Sequence, residues 1–456
     1  MGRRMVEVAA VSTEVEKELI KSALEASGIE VMFQALLSPL THPGLSLIKV
    51  LVPEDQEELA REILSGAMGE GAASLPSDDK ESMFENEGTS PRGIEASARR
   101  FGHPFLMWDS IAETPEAARR TLASRAAEQA IATGKSLTQR GIERVFLVGC
   151  GSSYHAGLST AYAVYALSNV DAEACDAFEF VTYRLRNVSP KTGVVVFSHS
   201  GNTGPVVQAL RAARERGAFT VSLTHSPDSP LARDAGAAIV LEGGIEPLYP
   251  KTRSYIETVL IGYLLAAGMA AGTGEPAVLA EVGHVPELLE RCLTLEEQAR
   301  RLADKYLDFR KVMIVGAGPN YPTALEVALK FKEAVLVAGE GLEIEEAFHG
   351  PVVSLGSDTL VIAISAPGPG HERIGRFVEI AAKMGSAVLS AGPEPFEGEG
   401  IDTMRVPAVG LGEAFTGSVL VYPLYMLAYY SALARGNNPD VFRLEELGLG
   451  ELVKGI

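Results

Sequence analysis

Cysteine is scarce in this sequence. There are three in 456 residues, Cys150, Cys175 and Cys292, with no paired spacing. That argues against a disulfide framework or a cysteine-based zinc site and fits a reducing, cytoplasmic setting. Positive charge is also short: 40 Lys and Arg face 59 Asp and Glu, a formal net charge of −19. Sequence-independent attraction to nucleic acid needs a basic face, so polyanions are poor partners. No apolar run reads as long and clean enough to cross a bilayer. The start, Met1 to Met5, is basic but leads to Glu7 and an amphipathic pattern, which does not read as a secretory signal. With 46% hydrophobic and 22% charged residues, the chain reads as globular and long enough for several cores.

The richest stretch is Ser198-His199-Ser200-Gly201-Asn202-Thr203. It closes the apolar run Val194 to Phe197 and opens a helical pattern from Pro205. The first turn of a helix carries free N–H groups and a favourable dipole for an anion. Ser198, Ser200 and Thr203 add neutral donors, and Gly201 allows close approach. The plainer reading is an N-capped helix. One such residue suffices for a cap, and three stand here, so we read the loop as an anion site. A small phosphate ester suits it, because the field at a helix start is local and tolerates an acidic protein.

Three regions organise the chain. Residues 1–66 read as a small βαββα unit. Its strands fall near 6–11, 29–33 and 47–52. Ser12 or Thr13 is expected to cap a helix bearing Val15, Leu19, Ile20, Ala23 and Leu24, and Pro53 to open a last helix through Leu64. Residues 67–95 are rich in Gly, Ser, Pro, Asp and Glu and read as a linker. From 96 on the pattern is α/β, with a helix expected from Pro115 to Ala132. Strands near 145–148, 194–197, 219–223 and 238–241 alternate with helices, which implies a parallel sheet. After a long apolar helix, Ile256 to Met269, the pattern returns at 312–315, 359–364 and 387–390. The fold class is therefore α/β, two doubly wound parallel-sheet domains in tandem (96–290 and 291–456) after a small α+β unit. Ligands of such sheets bind beyond the carboxyl ends of the strands.

Three blocks resemble the tandem sugar isomerase (SIS) family, most visibly the isomerase half of glucosamine-6-phosphate synthase and its deglycase-like relatives. They are Cys150 to Gly157, Ser198 to Thr203, and Tyr321 to Glu333 followed by Phe348-His349-Gly350-Pro351. The resemblance spans roughly residues 96–440. It implies that Ser153, Ser198, Ser200 and Thr203 hold a sugar phosphate, with Cys150, Gly151, Ser152, His199 and Gly201 in the same loops. It implies that Glu333 moves a proton between C1 and C2, that Lys330 sits beside it, and that His349 serves ring opening from a neighbouring subunit of a homodimer. The residues by themselves agree. Proton transfer next to a carbonyl needs a carboxylate of suitable pKa and a donor for the developing charge. Glu326, Lys330 and Glu333 fall on one helix face, where the plainer reading is a solvated ion-pair stripe. His155 is expected to be structural. The small N-terminal unit resembles a family of prokaryotic signal-transducing domains, on Leu19 to Val31 and Val50 to Asp55.

The chain also departs from the family. The synthase's N-terminal amidohydrolase domain has no counterpart here, so glutamine hydrolysis is not expected. The family's tail lysine, which forms a Schiff base with the ketose, has no match in Asn438 to Leu447; Lys454 lies further on. His199 replaces a glutamine and is expected to donate a hydrogen bond. After the fourth strand Lys251 and Arg253 stand in a segment where the synthase has a small hydroxyl residue, and either is expected to contact the ligand. The second half has Ser365-Ala366-Pro367-Gly368-Pro369-Gly370, whose prolines remove N–H donors. One ligand site per pair of domains is expected. The favoured function is a phosphosugar isomerase or deglycase that uses neither a metal nor an organic cofactor. The rivals are a non-catalytic phosphosugar sensor and a nicotinamide-dependent oxidoreductase. The last is weak, because neither Gly149-Cys150-Gly151 nor Gly316-Ala317-Gly318 completes a dinucleotide fingerprint.

Overall fold

The computed structural model describes residues 5–11, 20–21, 23–24, 27, 29, 31–35, 48–53, 56–67, 100, 102–270, 274–441 and 443. They fall into two compact units, Met1–Thr89 and Ser90–Ile456. In the first, strands β1 (Met5–Val11), β2 (Met32–Ala35) and β3 (Ile48–Pro53) form an antiparallel sheet in the order β1-β3-β2. Helix α1 is Glu57–Ala67, and Pro53, expected to open it, ends β3. Val8, Ile20, Leu24, Ile29, Val50, Val52, Ala60 and Leu64 make its core. The expected caps Ser12 and Thr13, and nearly all of the 67–95 stretch, lie outside the described residues.

In the second unit β4 (Arg144–Gly149), β5 (Asp171–Asp176), β6 (Thr192–Phe197), β7 (Phe219–Thr224) and β8 (Ala237–Val240) form a sheet in the order β5-β4-β6-β7-β8. β9 (Lys311–Gly316), β10 (Ala338–Glu343), β11 (Thr359–Ile364), β12 (Ala387–Gly392) and β13 (Ile401–Arg405) repeat that order as β10-β9-β11-β12-β13. Every pairing in both sheets is parallel. Val194–Phe197 and the whole of β11 are buried, as expected of strands covered by helices on both faces. The strand order reverses between β4 and β6, and again between β9 and β11. Ligands are expected in the crevice at such points.

The expected helix over 115–132 is two helices, α2 (Leu106–Leu122) and α3 (Arg125–Gln139). Ser124 caps α3 through the Ala127 N–H, and Pro115 lies inside α2. Phe105, at the start of α2, has no capping side chain. Asp440 replaces it from 334 residues away, accepting from the N–H groups of Leu106 (2.7 Å) and Met107 (2.8 Å).

Four further helices frame the ligand end. They are α4 (Ser152–Leu167), α5 (Gly204–Glu215), α6 (Arg253–Met269) and α7 (Tyr321–Lys330). Late in the chain, α8 (Glu413–Ala434) is long and apolar enough to cross a membrane by length and composition. The sequence reading had found no such run. Here almost all of it is packed inside the unit, and Tyr422, Tyr425 and Tyr429 are among the largest fully buried side chains.

Candidate active site

The loops after β4 and β6 open onto one cavity of about 370 Å³. Its walls are Cys150, Gly151, Ser152 and Ser153 from the first loop and Ser198, His199, Ser200 and Thr203 from the second. Pro205, Pro247, Leu248, Tyr249 and Lys251 complete the first-half side, and Leu329 and Glu333 come from the second half. The cavity therefore joins the hydroxyl-rich loop to the carboxylate that the sequence placed 130 residues away.

The loop geometry explains how the hydroxyls are presented. Neither α4, whose N-cap is Gly151, nor α5, whose N-cap is Thr203, has a side-chain cap. Both helix starts leave donors for an anion. Ser198 Oγ lies 2.9 Å from Thr203 Oγ1 and accepts from the Gly201 N–H at 3.1 Å. Ser200 Oγ accepts from the Asn202 N–H at 3.3 Å. Gly201 plays a different part from the expected one. It does not line the cavity. Its φ is +65°, and a Cβ there would lie 2.1 Å from Ser229 Oγ. It makes the turn and lets Ser229 approach rather than a ligand.

Glu333 is the carboxylate of the cavity wall, and Lys330 backs it without lining the cavity. After Lys330 the helix widens into a π turn, Phe331–Val335, of the kind often found at functional sites. Lys330 is fully buried and ion-paired to Glu333 and, at 3.4 Å, to Glu326. The plainer stripe reading fails here, because this lysine has no contact with solvent. Burial raises the Glu333 pKa, against the pull of Lys330. The two carboxylates raise that of Lys330 against desolvation, so it stays a cation.

Glu326 is a buried hub. It accepts from Ser152 Oγ (3.0 Å) and Tyr425 Oη (3.2 Å) and meets His155 Nδ1 at 2.8 Å. Its pKa is lowered: Lys330, His155 and Ser152 outweigh burial, itself the largest single influence. His155 is thus structural, as expected, and ties α4 to α7.

One expected contact needs correction. Arg253 does not line the cavity. It is buried, donates to the Gly243 carbonyl, and lies 3.6 Å from Glu257 and 3.7 Å from Glu113. This buried guanidinium at the start of a helix is spent on the chain's own groups, the buried Glu257 and the exposed Glu113. His199 lines the cavity, but its Nε2 accepts from the Glu246 N–H at 3.0 Å. Its pKa falls well below the ordinary value through burial, then through His225, Lys251 and Arg253. It is neutral, with Nε2 as the acceptor, so the ring proton sits on Nδ1 and the expected donation falls to that nitrogen. His349 does not line the cavity; its side chain is 73% exposed and bonds the Glu345 carbonyl at 2.7 Å. Of the other predicted residues, Cys150 is a protonated thiol, its pKa pushed up to about 11 by burial. Residues 444–456, Lys454 included, lie outside the described residues.

Glu246 was missed by the sequence reading. It is fully buried and accepts from Thr252 N–H (3.2 Å), Thr252 Oγ1 (3.0 Å), Ser254 N–H (3.1 Å) and Ser254 Oγ. Its clasp on residues 252–254 fixes the segment that carries Lys251. The only sequence signal was a carboxylate six residues before Thr-x-Ser.

Two parallel sheets of one order, with a cavity where the first reverses direction, make the second unit a pair of α/β domains, and the first of these carries a match to a known domain family. The SIS domain model matches residues 138–268. Over 347 residues, 75% of this chain, it is 31% identical to the glutamine–fructose-6-phosphate aminotransferase (isomerizing) of Methanothermobacter thermautotrophicus. It spans 57% of that relative's length. Among solved structures it resembles the C-terminal domain of glucosamine-fructose-6-phosphate aminotransferase from Francisella tularensis, with TM-score 0.68, 21% identity, and coverage of 75% of this chain and 99% of that one. It also resembles the tagatose-6-phosphate ketose/aldose isomerase of Escherichia coli, with TM-score 0.65, 17% identity, and coverage of 75% and 97%.

Proposed function

We propose that this chain is an isomerase- or deglycase-type enzyme acting on a hexose 6-phosphate or an amino-sugar 6-phosphate. One observation carries the reading: Glu333 and the hydroxyls of 198–203 line the same cavity. The phosphate docks at the two uncapped helix starts, which places the sugar carbons toward Glu333. Glu333 then takes a proton from the carbon beside the carbonyl and returns it to its neighbour. Burial holds its pKa up, in the direction a general base needs, while the Lys330 cation keeps it ionisable. Names among the relatives support the substrate class. His349 acts, on this reading, from the second subunit of a homodimer, which accords with its exposure in its own chain.

The test is proton exchange at C1 of fructose 6-phosphate or at C2 of glucosamine 6-phosphate in deuterium oxide, followed by NMR. Exchange that depends on Glu333 supports the proposal. Binding of such a sugar with no exchange of any of its protons returns the chain to the sensor reading.

A further inference from the structure

Proton removal beside a carbonyl needs a donor for the charge that gathers on the carbonyl oxygen. Among the described residues that line the cavity, Lys251 is the one lysine or arginine. The other buried lysine nearby is spent. Lys330 Nζ is surrounded by Glu326, Glu333 and Ser152 Oγ (3.3 Å), which use all three hydrogens of an ammonium. Lys251 Nζ is held differently. It donates to two backbone carbonyls, Glu246 O at 2.7 Å and Leu248 O, and has no carboxylate within ion-pair distance among the described residues. The third hydrogen of its ammonium therefore has no acceptor among them. The charged and titratable groups around it come from three places. Glu246 and Arg253 belong to its own segment, His199 to the loop after β6, and Lys330 and Glu333 to the second half. Burial, opposed by Glu246, brings the pKa of Lys251 down to about 8. At neutral pH it is mostly a cation, and one that yields its proton more readily than an exposed lysine.

We propose that Lys251 is the electrophile of the isomerisation, donating its third hydrogen to the carbonyl oxygen of the open-chain sugar. This rests on the phosphosugar reading above and adds a second catalytic residue to it. With fructose 6-phosphate, Glu333 removes a proton from C1, and the C–H electron pair becomes the C1=C2 double bond. The carbonyl pair moves onto the C2 oxygen, where the Lys251 ammonium meets the new charge and passes a proton to it. The neutral amine then takes the proton of the C1 hydroxyl. As that oxygen closes to C1=O, the double-bond pair moves onto C2, which takes up the proton held by Glu333. Glu333 ends as a carboxylate and Lys251 as an ammonium. No bond forms between lysine and sugar, and no oxidant or reductant is consumed. The clasp of Glu246 on Thr252 and Ser254 is then what positions the donor.

Kinetics of the full chain beside Lys251→Met and Lys251→Arg test it. Exchange at C1 of fructose 6-phosphate and at C2 of glucosamine 6-phosphate is followed by NMR across the neutral and alkaline range, with calorimetric titration and thermal melts for each sugar. Lys251→Met is expected to lower kcat by roughly 100- to 1,000-fold while affinity stays within about three-fold. In the unaltered chain the rate should fall as pH rises through about 8, where the ammonium is lost. The residual rate of Lys251→Arg should not fall there, because a guanidinium stays protonated. Equal losses of rate and affinity in Lys251→Met would make the lysine a phosphate ligand and overturn the inference. An undiminished rate in that variant also overturns it, and both results leave the phosphosugar reading intact. A sugar that binds without exchange overturns the inference together with the isomerase reading. Neither stabilisation nor exchange with either sugar overturns the phosphosugar reading as well. Should the variants not fold, the unaltered chain decides, and a rate that stays level through the alkaline range overturns the inference.

Discussion

The two sheets share one strand order, yet their carboxyl ends hold different things. At the first, two uncapped helix starts, five serine and threonine residues and Lys251 surround open space. At the second, Ser365 Oγ is taken up by His371 Nδ1 at 2.8 Å. A Cβ on Gly368 would lie 2.4–2.5 Å from the Glu413 carboxylate oxygens, and one on Gly370 would lie 2.3 Å from Ala317 Cβ. Pro367 and Pro369 also lack N–H donors. The duplicated end is thus filled and carries a carboxylate where a phosphate would sit. Topology supplies two equivalent places for a ligand. Side chains decide which one is used, and the second half contributes Glu333 to the first instead.

Replacing that contribution should have the largest effect. Glu333→Gln is expected to lower turnover by roughly 100- to 10,000-fold while leaving phosphosugar affinity almost unchanged; steady-state rates beside calorimetric titration separate the two. Equal losses of rate and affinity would make Glu333 a structural residue. Next comes the hydroxyl loop. Ser200→Ala should weaken binding by about 1–3 kcal/mol, and unchanged affinity would reduce the loop to a helix cap.

A third test uses two carboxylates, Glu246 ahead of α6 and Glu413 in the first turn of α8. Glu246 has a lowered pKa: Lys251, Ser254 and Arg253 overcome burial. Glu413 has a raised one, through burial. A carboxylate with a depressed folded pKa stabilises above its unfolded value, near 4.3, and that contribution is lost as pH falls through the lower folded value. Glu246→Gln should therefore melt earlier than the unaltered chain at pH 7, and the gap should close as pH falls below about 4. Glu413 has the opposite sign, so Glu413→Gln should be relatively less harmful at neutral pH. Melting curves between pH 3 and 7 show both. The smallest effect is expected from Ser365→Ala, the counterpart of a loop serine in the filled end. Phosphosugar affinity should stay within two-fold, and a larger loss would mean that the second end binds ligand too.

How much of this was legible depends on sequence distance. The doubling of the α/β pattern and the loops after β4 and β6 are local, written in apolar runs closed by Gly, Ser and Thr. Glu333 and Lys330 were legible as a helical face, and the resemblance gave the face its meaning. What stayed hidden depends on long-range contact. Glu326 is a hub because His155 and Ser152, more than 170 residues earlier, meet it. Asp440 caps a helix at the other end of the unit. Arg253 looked like a ligand contact because its partners Glu113 and Glu257 were not visible as neighbours. Which ring nitrogen of His199 is left to donate was hidden, because nothing local announces that the Glu246 N–H occupies its Nε2. The break between α2 and α3 follows Ser124, a cap that lay inside an otherwise uninterrupted helical pattern.

The most direct measurement is a crystal structure of the chain with fructose 6-phosphate bound. The account predicts the phosphate among Ser153, Ser198, Ser200 and Thr203, with the first carbons of the sugar facing Glu333 and Lys251. A phosphate seated instead at 365–370, or a sugar whose reactive carbons point away from Glu333, would contradict it.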